Sequence, residues 1–338
     1  MSSTITVSGK PCGRIGYGLL GLTALAAPQR PTEEAAIEAI KAAVDAGANL
    51  LNSATFYGVE DPLANLKLLN RFFETYPDYV NKTVVVVKGG LKNYQLITDF
   101  DALREDAKTA QAALGTKKKI DIFEYARLPD DIPIEEVMRR MMTLRDEGLF
   151  NHIGFSEISG PTLRRAANVG PVAAVEIELS LWAMEPAILE TVAVTKELGI
   201  PFQAYSPLGR GILTGKWKSP DDMDKDDRRR MWPRFQGENF AKNLELVEKV
   251  ARLAEKKGVT NSQLALAYIL RMSPMVLPIP GSSSPERILS NIAAQDVQLT
   301  DAEVKEIDDV LASFTVSGDR YPQQFMKDLV SYGRLDAK

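Results

Sequence analysis

Four consecutive valines at 84–87 run into a lysine, Lys88, followed by two glycines. A second apolar run leads through Asn52-Ser-Ala-Thr-Phe to a tyrosine, Tyr57, and Gly58. An ammonium beside a phenol favours the phenolate and draws the tyrosine pKa down from its ordinary value of about 10. A phenol tuned that way is a candidate proton donor at neutral pH. The competing reading is a lysine that only snorkels to solvent. A third polar cluster, Ser282-Ser-Ser-Pro-Glu-Arg287, opens a helical pattern. Hydroxyls, the N–H groups of a helix start and the Arg287 guanidinium together make an anion site. A plain helix cap by Ser284 is the simpler alternative there.

These residues need elements that bring them together. Short apolar runs at 15–20, 49–52, 83–88, 120–127, 153–156, 172–178, 201–205 and 276–279 read as strands. The β-branched run at 84–87 suits a strand buried on both faces. Amphipathic stretches lie between the runs, at 32–46, 98–114, 133–147, 186–198, 239–257, 260–271, 284–294 and 300–313. Several begin at Pro or Thr and stop at Gly, the asymmetry expected of helix ends. Alternating strands and helices imply parallel β/α units. Eight strands at regular spacing favour a closed eight-stranded parallel (β/α) TIM barrel over an open doubly wound sheet. Extra C-terminal helices and a long loop after the seventh strand complete the expected architecture, with residues 1–338 as a single domain. In such barrels chemistry sits at the C-terminal ends of the strands, which is where Tyr57, Lys88 and Ser282 fall.

Composition narrows the chemistry. The 338 residues are 45% hydrophobic and 25% charged, as in ordinary globular proteins. No apolar run reaches the roughly 18 residues of a membrane span, and the N-terminus lacks a secretory pattern. A lone cysteine, Cys12, excludes a disulfide framework, and a lone histidine, His152, excludes multi-histidine metal sites and most Ser-His-Asp schemes. No metal is expected. A net charge of −4 argues against a nucleic-acid binder. The expected setting is the cytosol, with the nucleus also open.

Other signals carry less. Gly16-Tyr-Gly18-Leu-Leu-Gly21 fits G-x-G-x-x-G, yet Pro28 and Pro31 interrupt the helix that a dinucleotide fingerprint needs. Close backbone approach explains these glycines better. His152 falls before its strand and reads as solvent-facing. Asn81-Lys-Thr83 is a glycosylation sequon in a chain with nothing to send it for secretion. Trp182 and Trp217 either wall a substrate pocket or fill core. The polar run 216–230 reads as a solvated loop or a lid.

Taken together, Asn52–Gly58, Lys88, Gly154–Ser156, Ala204–Gly215, Pro233–Phe240 and Leu277–Ser282 resemble the aldo-keto reductases. The resemblance runs from about Gly13 to Leu311 and looks closest to the fungal pyridoxal reductase branch. It implies NADPH lying across the C-terminal mouth of the barrel. It makes Tyr57 the proton donor, Lys88 its activator and Tyr205 the aromatic platform for nicotinamide. Ser156, Glu157 and Glu176 fall where the carboxamide is bound, although many members carry amides there. Ser206, Leu208, Gly209 and Arg210 fall in the pyrophosphate loop. Gly281, Ser282, Arg287 and Asn291 surround the adenosine phosphate and adenine, with Gly281 where some members have lysine. Two departures stand out: the family's catalytic aspartate falls at Asn52, and its catalytic histidine at Ala126. Asn52 can hydrogen-bond Lys88 but cannot form an ion pair. Glu124, Arg127 or the substrate's own polar groups are candidates to compensate for Ala126.

The expected activity is NADPH-dependent reduction of a small aldehyde, with pyridoxal to pyridoxine in vitamin B6 metabolism first among the candidates. The alternatives are a reductase of broad aldehyde and ketone specificity, an NADPH-sensing regulatory subunit with little turnover, and a Schiff-base lysine at Lys88. The expected partner is the aldehyde alone, without nucleic acid or membrane, in a monomer or weak homo-oligomer.

Overall fold

The computed structural model describes residues 3–25, 29–93, 95–225 and 227–326. The chain opens with an antiparallel hairpin, β1 (Thr4–Val7) and β2 (Lys10–Gly13), which the sequence reading left out. The barrel strands follow as β3 (Tyr17–Gly18), β4 (Leu50–Ala54) and β5 (Val84–Gly89). After a small hairpin, β6 (Leu91–Lys92) and β7 (Gln95–Leu96), come β8 (Ile122–Tyr125), β9 (His152–Ser156), β10 (Ala174–Glu178), β11 (Phe202–Tyr205) and β12 (Val276–Pro278). The order β12-β11-β10-β9-β8-β5-β4-β3 is that of eight parallel neighbours. Gly16 N donates to Pro278 O at 2.9 Å and Gly18 N to Pro280 O at 3.3 Å, so the first strand segment bonds to the last and the sheet closes.

The helices are α1 (Leu20–Thr23), α2 (Glu33–Asp45), α3 (Ala64–Thr75), α4 (Phe100–Leu114), α5 (Ile134–Asp146), α6 (Gly160–Val169) and α7 (Pro186–Leu198). After short 3-10 turns between Gly209 and Phe235 come α8 (Gly237–Lys257), α9 (Asn261–Met272), α10 (Pro285–Ile292), α11 (Asp301–Ala312) and α12 (Gln323–Met326). Their ends follow local chemistry. Thr32 caps α2 by accepting from Ala35 N, and Thr260 and Thr300 form capping boxes with Gln263 and Glu303. Helices α3 and α6 escaped the sequence reading. The N-cap residue of α3, Leu63, makes no side-chain cap bond. No helix among the described residues is long and apolar enough to cross a membrane.

The alternation of strand residues sorts two cores. Val85 and Val87 face the helices in the outer core. Val84 and Val86 point inward with Leu50, Ile122, Ala174, Leu277 and Ile279, and there they meet Ile5, Val7 and Cys12 of the β1–β2 hairpin. That hairpin plugs the N-terminal end of the barrel and is pinned by Lys10 Nζ to Asp121 at 3.1 Å. The glycines at 16 and 18 serve close approach: a Cβ at Gly18 would stand 2.7 Å from Ile279 O. Only the four-residue α1 follows them, with no dinucleotide-binding helix.

Candidate active site

Above the inner valines the barrel carries a polar layer. Strand register sets Lys88 beside Glu124 and Glu176 beside Gln203. The same alternation that buries Val84 and Val86 points Lys88 inward, and Asn52 shares that interior from β4. Gly154 makes the room, since a Cβ there would stand 2.6 Å from Glu124 Cγ. Lys88 Nζ donates to Asn52 Oδ1 at 2.6 Å and to Glu176 Oε2 at 2.7 Å. Asn52 Nδ2 donates to the same Glu176 oxygen at 2.7 Å and to Gln203 Oε1 at 3.2 Å. Gln203 Nε2 donates to Glu124 Oε1 at 2.6 Å. All five side chains are buried. Burial, then the neighbouring Glu176, push the Glu124 carboxyl well above the usual carboxylate range. Burial opposes the Lys88 charge, but Glu176, Tyr57 and Glu124 outweigh it and raise the ammonium above its ordinary value.

Tyr57 leans over this layer. Lys88 Nζ lies 5.0 Å from the centre of its ring, close enough for its charge to act on the phenol. The tyrosine loop is fixed from behind. Thr23 Oγ1 donates to Tyr57 O at 2.5 Å and accepts from Asn65 Nδ2 at 2.8 Å, while Ser53 donates to Asn65 Oδ1 at 2.6 Å. Asn65, on α3, and Thr23 had no place in the sequence reading. A buried asparagine inside an unrecognised helix offers no pattern to find. The phenol also corrects the expected pKa. Burial, the largest influence, raises it; Lys88 lowers it, Glu176 raises it again, and it is pushed up to about 12.

At the rim stand the groups assigned to a nicotinamide. Ser156 Oγ accepts from Arg127 Nη1 at 3.3 Å, and Ala126 beside it is fully buried. Glu157 is held at φ +54 and is buried. It accepts from Tyr205 Oη at 2.7 Å and from Arg320 Nη2 at 3.2 Å. Arg320 also reaches Glu178 Oε2 at 3.0 Å, and Tyr321 Oη lies 3.0 Å from Tyr205 Oη. Arg210 pairs with Glu178 at 3.0 Å, with its guanidinium 3.7 Å from the Trp232 ring centre and 4.6 Å from that of Tyr321. Thus the segment 317–321 crosses the mouth. It is anchored where Asn243 exchanges two hydrogen bonds with the Ser317 backbone, both 2.8 Å, and where Arg234 Nε donates to Gly318 O at 3.0 Å. Arg320, Tyr321 and Trp232 were not anticipated, because their contacts join distant parts of the chain.

The structure separates some residues that the sequence reading grouped. Glu176 lies in the Lys88 layer, while Ser156 and Glu157 bond to rim groups. Ser206, Gly209, Arg210 and Gly211 all hold positive φ, and Gly209 N donates to Ser206 O at 2.9 Å, so the segment after β11 is a tight left-handed turn that also contains Leu208. Gly281 packs against β3, where a Cβ would stand 2.8 Å from Gly18 O. Ser282 Oγ accepts from Ser284 N at 3.1 Å and from Arg287 Nε at 3.2 Å, leaving the exposed Arg287 guanidinium beside the N-terminus of α10. Asn291 is buried farther along α10, in a small pocket it lines with Tyr17, Ala48 and Pro280. Trp182 and Trp217 are core: both pack edge-on to Phe235. His152 is exposed at the start of β9. Of the polar run, Arg229 pairs with Asp227, and Arg230 donates to Pro220 O at 2.7 Å and Met223 O at 3.0 Å. Among the described residues no group of three or more His, Cys, Asp and Glu side chains could hold a metal ion.

The model of the Aldo/keto reductase family matches residues 14–312. A probable pyridoxal reductase of Schizosaccharomyces pombe is 35% identical over 334 residues, 96% of this chain and 98% of that protein. An aldo-keto reductase of the same yeast, whose name carries NADP(+), is 36% identical over 91% of each chain. Among solved structures, a glycerol dehydrogenase from Gluconobacter oxydans superposes with a TM-score of 0.79 at 27% identity, covering 94% of this chain and 97% of its own.

Proposed function

Since the chain belongs to the aldo/keto reductase family, we propose that it is an NADP(H)-dependent oxidoreductase that reduces an aldehyde to an alcohol, with pyridoxal as the favoured substrate. The observation that carries the reading is the convergence of the Tyr57 phenol and the Lys88 ammonium in one buried layer below the rim. The names of the two yeast relatives support the cofactor and the substrate.

The donor set fits a phosphorylated dinucleotide. Ser282, Ser284 and the exposed Arg287 surround a helix N-terminus, which suits a 2′-phosphate. The left-handed turn at 206–211 would hold a pyrophosphate through its backbone, and Tyr205, at the end of β11, would be the platform for the nicotinamide. When NADPH is bound, its reduced nicotinamide supplies hydride to the carbonyl carbon. Tyr57 then gives its proton to the nascent alkoxide oxygen. A phenol at about 12 is still a stronger acid than an aliphatic alcohol, so the transfer runs downhill. Lys88 stabilises the phenolate left behind. Ala126 cannot polarise the carbonyl. The phenolic oxygen beside the aldehyde of pyridoxal can do so from within the substrate, with Arg127 next to it at the rim.

The test is single-turnover NADPH oxidation with pyridoxal, its phosphate and a matched aldehyde lacking the phenolic oxygen. Tyr57→Phe lowers the chemical step by about 10² or more, the scale of a general acid. A variant at the wild-type rate removes Tyr57 from the role. Equal rates with pyridoxal and the matched aldehyde remove the substrate-assistance argument. NADPH binding without any aldehyde-dependent oxidation would favour a cofactor-sensing role.

A further inference from the structure

The Lys88 layer contains one ammonium and two carboxyl groups, and its hydrogen bonds show which of them carries the charge. Two donors, Lys88 Nζ and Asn52 Nδ2, converge at 2.7 Å on one oxygen of Glu176. Glu124 takes only the neutral amide of Gln203 on Oε1, and no N–H or O–H group donates to its buried Oε2. With no donor at that oxygen and burial raising its carboxyl, Glu124 is the one of the two that holds a proton. Asn52 presents a carbonyl to Lys88 at 2.6 Å but supplies no charge. A lysine with a side-chain exposure of 5% needs an anion to remain an ammonium, and Glu176, at 3%, is the carboxylate in contact with it.

We propose that Glu176, reaching across the barrel from β10, is the counter-ion that positions Lys88 against Tyr57 and keeps it charged, while Asn52 acts as a neutral spacer between the two. Glu176 is a positioning residue: it touches Lys88 and Asn52 and acts on the reaction through them. The assignment rests on the tyrosine–lysine reading above and adds to it the residue that sustains the lysine. Glu124, kept neutral by burial and by the neighbouring carboxylate, adds no second charge, so that only one negative charge faces the single ammonium. The groups facing Lys88 are then Tyr57 from the loop after β4, Asn52 from β4, Glu124 from β8 and Glu176 from β10.

A charge swap tests this. Glu176→Gln removes the anion but keeps an amide in its place. The kcat of NADPH-dependent aldehyde reduction then falls by about tenfold or more, the scale of a lost charged hydrogen bond. The Kd for NADPH, read by fluorescence titration, stays within about threefold. Because Glu176 raises both the lysine and the phenol, the basic limb of the kcat–pH profile moves to lower pH. Asn52→Asp in the same chain returns a carboxylate at the 2.6 Å contact, so N52D/E176Q recovers most of the lost kcat and the original limb. Circular dichroism establishes that each variant is folded. A folded E176Q with unchanged kcat and pH profile overturns the assignment, as does a double variant no better than E176Q. Should E176Q fail to fold, the double variant decides: folded and active supports the assignment, and folded but inactive, or unfolded, overturns it. Tyr57→Phe is run alongside. A wild-type rate in that variant sinks the tyrosine–lysine reading itself, whereas loss of activity there with E176Q unaffected sinks only the counter-ion.

Discussion

Replacing Arg320 by methionine tests whether ion pairs hold the segment over the mouth. The Arg320 side chain is 1% exposed, with Glu157 at 0% and Glu178 at 4%, so all three are out of water. One guanidinium nitrogen lies 3.2 Å from Glu157 and 3.0 Å from Glu178. Removing one partner of such a buried pair costs about 3–5 kcal/mol, because the remaining carboxylate keeps its desolvation penalty. Glu178 still has Arg210 at 3.0 Å, which places the loss near the lower end of that range. At roughly 2 °C per kcal/mol for a chain of this size, the Tm falls by about 6 °C. Thermal unfolding at neutral pH reads it directly. Arg320→Met combined with Glu157→Gln removes the carboxylate that has lost its guanidinium and recovers part of the loss. Arg320→Lys keeps the charge without the forked geometry and falls between wild type and the methionine variant. A methionine variant melting within about 1 °C of wild type would refute the reasoning, since the buried pairs would then contribute nothing measurable.

Three further outcomes follow from the site. Glu124 is held well above the usual carboxylate range, first by burial and then by Glu176. The folded state therefore keeps a proton that the unfolded state loses above about pH 4.3, and stability falls as pH rises through that interval. Glu124→Gln abolishes this linkage, so its Tm relative to wild type climbs as pH rises above about 4.3, and a flat difference would mean that Glu124 folds ionised. Arg287→Ala weakens NADPH by roughly tenfold and leaves NADH nearly unchanged, as the proposed contact of its guanidinium with a 2′-phosphate requires; equal losses by titration would count against it. Gly58→Ala places a Cβ 1.8 Å from Asp61 O and so displaces the tyrosine loop. Reductase activity should then drop by an order of magnitude or more, and an undisturbed rate would show that the loop yields without moving Tyr57.

The eight strands were legible because buried parallel strands are short apolar runs, and the valines at 84–87 have no other good home. Tyr57 and Lys88 were legible because strand ends in a barrel face a common mouth. The helix α3 was not, since Leu63 gives no cap signal and Asn65 interrupts the apolar face that α3 buries. The Lys88 layer was only half visible. Glu124 and Glu176 could be seen as carboxylates on strands, but which of them meets the lysine depends on register across the barrel, and nothing local encodes it. The same holds for Arg320, whose partners lie 163 and 142 residues earlier in the chain. The phenol lies above rather than below its ordinary value because burial outweighs the charge of Lys88, and burial at that depth is not written in the local sequence.

The β1–β2 hairpin gives the barrel a floor. Ile5, Val7 and Cys12 close its lower end, each at most 7% exposed, and the inner valines and leucines stack directly on them. Among the described residues, then, the interior is closed below by the hairpin and is reached from the rim. Water expelled when a ligand settles at the rim must leave past that ligand, and a proton drawn from the lysine layer must be restored from the same side. Turnover in this molecule is thus bound to the order in which its visitors come and go through one opening.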